Sequence, residues 1–359
     1  MTKNLISELE TFSDINIFLK ETQEKGLIIS SRKFIPQESL SLRPCPLLKN
    51  YLVDDSIDSL IQHNLEWANT KREKPIFKFA YLMLPTICNQ KCIGCFTGKD
   101  KGKLHSKLSG DFYTDNTIKD ITSFLKDHGA NTLVYAGGGE LFTWEKSFDY
   151  INQIIDSGLS MVIFTNGSLL SENDIKWLSE KDISLIFSFR DTTELDHDII
   201  TKSKNGFRKT LQALDYALKY GINKENRLAA EIPVTKYNQE RVLYDFIPAM
   251  RTLGIIPMIE EFILKEIFPD SNLYHDFTDA REFFIRMSEL DRRFGYDFKP
   301  VDGQRMLAQP KCKRPLYSFT IYPSGDVTDC PSNGVNYGNF YKTSLKDIVY
   351  SSRFKESLR

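Results

Sequence analysis

The spacing of apolar residues changes near Phe77, and the chain divides there. From Asn4 to Gly26 the residues Leu5, Leu9, Phe12, Ile15, Ile17 and Leu19 fall at helical spacing, and Gly26 is a natural stop. Gly26 to Ser30 reads as a short strand and Ser56 to Trp67 as a second helix. Beyond Phe77, short apolar runs alternate with amphipathic ones. Strands are predicted at 77–84, 131–136, 160–165, 183–189, 228–234 and 255–262. Helices fall between them, near 116–128, 144–157, 171–180, 205–220 and 238–253. That alternation predicts βα units around a parallel sheet. A further amphipathic helix, roughly 278–293, precedes an alternating strand, the turn Ser324-Gly325-Asp326 and a returning strand, a predicted β-hairpin. Three segments result: a mostly helical 1–75, an α/β 76–265, and a hairpin-and-helix 266–359.

Composition narrows the class. With 359 residues, 41% hydrophobic and 26% charged, the chain is an ordinary globular one. A net charge of −1 predicts no nucleic-acid partner and no membrane surface. No apolar run approaches the roughly 18 residues that cross a bilayer. The acidic N-terminus MTKNLISELETF is not a secretory signal. Six cysteines, three of them within eight residues, predict a reducing cytoplasm and metal binding rather than a disulfide framework.

Those three are Cys88, Cys92 and Cys95, in Cys-Asn-Gln-Lys-Cys-Ile-Gly-Cys at the exit of the first βα strand. Thiolates so spaced can converge from one tight loop onto an inorganic cluster. A [4Fe–4S] cluster normally takes four, so a trio leaves one iron open. A zinc site has the same shortage, and zinc motifs more often come as two separated C-x-x-C pairs. Plain core thiols are the remaining structural reading.

C-x3-C-x2-C in this position resembles the signature of the radical S-adenosylmethionine (radical SAM) superfamily. The resemblance implies a partial (β/α)6 TIM-like barrel, with the open iron chelated by the amino and carboxylate groups of SAM. The position before the last cysteine, often aromatic in the family, is Gly94, so the adenine contact passes to Phe96. In such barrels function gathers at the C-terminal ends of strands. The second strand ends in Ala136-Gly137-Gly138-Gly139-Glu140. Alone that is a common strand–helix turn; about 45 residues after the cysteine motif it resembles the family's G-G-E, and Gly138, Gly139 and Glu140 match the grip on the SAM amino group. Thr165-Asn166-Gly167 resembles T-N-G-x-L-L, whose polar residues line the SAM site. Ser188 stands where relatives contact the ribose, and Arg190 is placed to meet the SAM carboxylate. Phe189-Arg190 departs from the usual Asp-Gly, and Lys202 and Lys204 stand where an arginine is expected. Glu231, Glu260 and Glu261 are acidic strand residues aimed at the mouth or wall of the barrel. Solvated or salt-bridged carboxylates are the commoner case, although one can position or deprotonate a substrate. The basic loop Lys99 to Lys107 is a solvated loop or a steering patch.

Near the C-terminus, Cys312 is followed by twelve residues, Gly325, four residues and Cys330. This resembles the first half of a SPASM domain, C-x(9–15)-G-x4-C, which binds an auxiliary [4Fe–4S] cluster. The sequence stops where the remaining cysteines of a full domain would begin, and two thiolates alone do not hold four irons. Three arrangements stay open. Cys45 joins Cys312 and Cys330; a non-cysteine ligand such as Asp329 or His275 serves; or the hairpin is a cluster-free cap.

The resemblance implies reductive cleavage of SAM to a 5′-deoxyadenosyl radical that abstracts hydrogen from a substrate. The electron comes from a flavodoxin or ferredoxin-type reductant. A ribosomally synthesised peptide is the favoured substrate, because a SPASM-like tail with an added N-terminal segment is commonest there. That segment is either a leader-binding unit or a cap on the barrel. Oxidation or rearrangement of a small metabolite (sugar, aminoglycoside or nucleotide) is the second reading. A non-catalytic iron–sulfur carrier or sensor is the alternative of another class.

Overall fold

The computed structural model describes residues 14, 15, 17, 18, 20, 57–70, 74–85, 87–95, 113–261, 277–294, 314–331 and 334–358. Cys45, Phe96, the basic loop, His275, Cys312 and the predicted strand Gly26 to Ser30 lie outside the described residues. Of the predicted helix from Asn4, residues Asp14, Ile15, Ile17, Phe18 and Lys20 are described, and they are helical.

Helix α1 (Ile57–Thr70) leads into strand β1 (Phe79–Leu82). The units then follow as α2 (Asp115–Asp127), β2 (Thr132–Tyr135), α3 (Ser147–Asp156), β3 (Ser160–Thr165), α4 (Glu172–Ser179) and β4 (Ile183–Ser188). Two helices, α5 (Glu194–Thr201) and α6 (Gly206–Lys219), precede β5 (Leu228–Val234). Helix α7 (Ile247–Thr252) comes before β6 (Ile256–Glu261). After α8 (Phe277–Phe294) the chain forms β7 (Ser318–Ile321), β8 (Asp326–Thr328) and β9 (Asn336–Asn339). Helices α9 (Leu345–Val349) and α10 (Ser352–Ser357) close it. The predicted helix over 238–253 is instead Gln239–Arg241, a π turn at Val242–Phe246, and α7. Pro248 has no N–H to give the helical ladder, which accounts for the loosened register just before it.

One sheet runs β6-β5-β4-β3-β2-β1-β7-β8-β9. Every pair from β6 to β7 is parallel, and β8 and β9 are antiparallel. The sheet is open, with the mixed α/β form of a partial TIM barrel. The hairpin predicted as a separate piece continues this sheet, because β7 pairs in parallel with β1, Phe79 opposite Ser318. Tyr113 reinforces the join, its hydroxyl donating to the carbonyls of Met83 and Ile321.

Strand periodicity explains why the runs read as nearly continuous apolar segments: both faces are buried. Ala80, Leu133, Met161, Leu185 and Ala230 face the outer helices. Phe79, Val134, Val162, Ile186, Ala229 and Met258 face the barrel interior, and Ile61, Leu60 and Leu65 of α1 pack among them. Helix α1 therefore stoppers the floor of the lumen. Asn64 locks it there, its Nδ2 donating at 2.7 Å to the carbonyls of both Ile76 and Leu316 while Oδ1 accepts from the Ile76 N–H at 2.9 Å. Among the described residues no helix is long and apolar enough to cross a membrane.

Candidate active site

The loop that carries the three cysteines leaves β1 and is held by three neighbouring strand exits. Toward β2, the Glu140 N–H donates to the carbonyl of Ile87, which also forms a β-bridge with Gly139. Toward β3, Asn89 donates to Ser168 at 2.8 Å and accepts from Asn166 at 3.0 Å. Toward β4, the Lys91 and Ile93 N–H groups donate to the carbonyls of Thr201 and Ile200 at the end of α5. The loop is thus anchored before its first cysteine and between each successive pair.

Close packing also explains the glycines. A Cβ on Gly138 would stand 2.2 Å from the Leu84 oxygen, and one on Gly139 would stand 2.0 Å from the Ile87 oxygen. Both have positive φ, 93° and 147°. The approach predicted for a ligand is made first by the β1 exit crossing over this turn.

Glu140 lies 4% exposed beneath the crossing. Its carboxylate accepts from the Thr165 hydroxyl and from the Asn166 N–H, both at 2.7 Å. Burial raises its carboxyl to about 7 against the opposing pull of those two donors. A small cleft lined by Pro85, Ile87, Tyr135, Thr143 and Trp144 reaches this residue. The arrangement suits an arriving ammonium, which would restore the favourable surroundings of a carboxylate.

Arg190 and Glu231 form the other wall. Glu231 accepts from Ser188 at 2.7 Å and pairs with Arg190 at 3.0 Å. The Arg190 charge also lies close enough to Cys92 to favour its thiolate. Ser188 and Arg190, predicted as SAM contacts, are joined through a glutamate that the sequence marked only as an acidic strand residue. The signal was present in its position: Glu231 lies opposite Ser188 in the β4–β5 register. Across β5, Glu260 is pushed up to about 7 by burial and by the nearby Glu231 charge, with Arg314 and Arg190 opposing. Arg314 in turn donates to the Tyr81 hydroxyl at 2.9 Å. His197 does not face this site; it is buried against Phe207, and its Nδ1 accepts from the Arg190 N–H. Asp198 receives the Phe207 N–H near the start of α6.

The three sulfurs lie within electrostatic reach of one another. Burial raises the Cys88 thiol to about 12, Glu140, Cys92 and Cys95 adding to it, although the residue as a whole is exposed. Burial likewise raises Cys92, which the Arg190 charge partly offsets. Such thiols keep their protons until a metal displaces them. No three His, Cys, Asp or Glu side chains among the described residues converge on one metal-ion position. A four-iron cluster takes one thiolate per iron, so its ligands share no such position. The donor set, three thiols with a guanidinium beside one of them, fits a cluster of that kind.

Residues 82–243 match the model of the radical SAM superfamily, and residues 312–359 match the SPASM iron–sulfur cluster-binding domain. The chain carries a radical SAM domain followed by a SPASM domain. It is an enzyme of that class, and the cofactors that go with these domains are a [4Fe–4S] cluster, SAM and a further iron–sulfur cluster. A curated relative is the tungsten-containing aldehyde ferredoxin oxidoreductase cofactor-modifying protein of Pyrococcus furiosus. It is 24% identical over 77% of this chain and 82% of its own length. Among solved structures, anSMEcpe with bound AdoMet superposes with a TM-score of 0.59 at 18% identity, over 77% of this chain and 79% of that one. Streptococcus suis SuiB bound to its precursor peptide SuiA gives 0.61 at 13% identity, over 96% of this chain and 79% of that one. At such identities these radical SAM structures show a shared fold.

The SPASM match begins at the undescribed Cys312 and includes Cys330. The Cys330 carbonyl accepts from Thr328 at 2.8 Å and from Tyr322 at 3.3 Å, and Asp329 accepts from the Val335 N–H. These bonds fix the backbone around Cys330 at the end of the hairpin.

Proposed function

We propose that Cys88, Cys92 and Cys95 hold a [4Fe–4S] cluster with SAM on its open iron, and that the substrate is a ribosomally made peptide. When bound, these groups supply one-electron chemistry that removes hydrogen from a substrate. Glu140, steadied by Thr165 and Asn166, receives the SAM ammonium. Gly138 and Gly139 keep it in place by letting the β1 exit pass over them. Arg190 carries positive charge against Cys92 and Ser188 holds Glu231, so the pair forms the polar wall facing the mouth. Phe96 is assigned the adenine. Cys312 and Cys330, with Cys45, are assigned to the further cluster. The boundaries near residues 76 and 266 remain the proposed limits of the barrel. The setting proposed is a reducing cytoplasm, with a flavodoxin or ferredoxin-type electron donor.

One observation carries the assignment: Glu140 sits in a buried carboxylate site built from the second and third strand exits, stitched to the cysteine loop. Peptide modification is supported by SuiB, whose likeness spans nearly the whole chain in a peptide-bound form. A second reading, action on a small metabolite such as a cofactor, is favoured by the name of the Pyrococcus relative.

The test is anaerobic reconstitution, reduction and assay of SAM for 5′-deoxyadenosine. Cleavage lost in Cys88→Ala supports the assignment. An iron-loaded protein indifferent to SAM would falsify it and leave the electron carrier. Adding a candidate precursor peptide or the cofactor of a tungsten-containing aldehyde ferredoxin oxidoreductase, and weighing the product by mass, separates the two substrate readings.

A further inference from the structure

Gln90 lies midway between Cys88 and Cys92. It is the one buried residue among 87–95, only 8% exposed while its neighbours are half or fully exposed. A long polar side chain in such a loop would ordinarily reach water. This one is folded in against the cysteines instead. Its Oε1 accepts from the Cys92 thiol at 3.6 Å. Its Nε2 is buried with no hydrogen-bond partner among the described residues. A buried N–H donor left unmade costs about 1–3 kcal/mol, so its retention calls for an explanation.

The explanation is in the state of the sulfur. A Cys92 thiol has a hydrogen to give and holds the carboxamide oxygen toward it. A metal-bound thiolate has none, and then Oε1 and the sulfur are two acceptors facing each other. Half a turn about the terminal torsion of the side chain exchanges oxygen and nitrogen in nearly the same volume. The exchange places an N–H on the thiolate, a charge-assisted bond, and gives the orphaned donor its partner. The displaced oxygen is the less costly group to leave under-satisfied. Cys88 already has such a donor, the Gln90 backbone N–H, 3.4 Å from its sulfur. Arg190 and Cys95 also lie within electrostatic reach of Cys92.

We propose that Gln90 is a positioning residue that donates its side-chain N–H to the Cys92 thiolate and thereby raises the reduction potential of the cluster. This rests on Cys92 being a ligand. A donor on a ligand sulfur withdraws negative charge, which favours the more negative, reduced state.

The experiment is a potentiometric titration, followed by electron paramagnetic resonance, of the reconstituted full-length protein and its Gln90→Met variant. Methionine keeps the length and has no N–H. The expected result is the same iron content with a reduction equilibrium about tenfold less favourable, 59 mV for a one-electron couple. Wild-type protein labelled with 15N at glutamine side chains should also show a nitrogen coupling to the reduced cluster that the variant lacks. Equal potentials at equal iron content, or no such coupling in the wild type, overturns the inference about Gln90 alone. The wild-type coupling decides the matter if the methionine variant takes up no iron. Iron fully retained in Cys92→Ala removes the ligand assignment itself, and the Gln90 inference falls with it.

Discussion

The lumen of this barrel has two ends made by the same strands, and they differ completely in character. At the floor, Phe79, Val134, Val162, Ile186, Ala229 and Met258 enclose Ile61 of α1 in an apolar plug. One step of the strand period higher, Ile186 gives way to Ser188, Ala229 to Glu231 and Met258 to Glu260. The inward face is continuous because side chains two apart point the same way. The floor closes by hydrophobic burial, which is non-directional. The mouth is held by directed contacts, Ser188 and Arg190 on Glu231 and Thr165 on Glu140. Stability resides in one end and chemistry in the other.

Substitutions at the two ends should therefore fail in different ways. The largest effect belongs to the mouth: Cys88→Ala should lose bound iron and lower 5′-deoxyadenosine formation at least about a thousandfold, while the apo-protein melts as the wild type does. Iron analysis with a melting curve checks both halves. At the floor, Phe79→Ala empties a site that is 1% exposed and edged against Tyr81 and Tyr317. It should cost about 3–5 kcal/mol in chemical denaturation and leave SAM affinity unchanged in the folded fraction. Next comes Glu140→Gln, which keeps the shape, since the Thr165 hydroxyl can turn to accept. Loss of the charge should weaken SAM binding by about 1.5–3 kcal/mol, roughly tenfold to more than a hundredfold, with little change in melting.

The smallest effect sharpens the contrast through pH. Glu260 is raised from 4.5 to about 7, so the fold favours its neutral form. The stabilisation this gives is fully present below pH 4.5 and is lost as the pH climbs to about 7. Glu260→Gln, which has no charge to lose, should match the wild type at pH 4 and exceed its stability at pH 8. The full shift corresponds to about 3 kcal/mol, which solvent screening of the part-exposed Glu260 should reduce to on the order of 1 kcal/mol. Denaturant midpoints across that range measure it, and a constant difference would mean that Glu260 titrates in the fold as it does in the unfolded chain.

Much of this was legible along the chain. The strand positions could be read because a sheet buried on both faces leaves runs of β-branched and aromatic residues between amphipathic helices. The cysteine trio and Gly137-Gly138-Gly139-Glu140 could be read because each is a local spacing. The reason for the glycines was not legible, since it lies in the crossing of the β1 exit at Leu84 and Ile87. Nor was the parallel pairing of β7 with β1, which joins residues more than 200 positions apart. The union of Ser188, Arg190 and Glu231 depends on β4 lying beside β5.

The sequence by itself determined which residues bear sulfur and charge, and the class of enzyme they announce, because a motif confined to one loop needs no long-range partner. Only the tertiary structure decided what each polar group faces. It set Glu140 against Thr165, hid the Gln90 amide beside Cys92, and drew α1 into the floor. Those contacts depend on strand order and register, which bring distant segments within hydrogen-bonding distance and which no local pattern encodes.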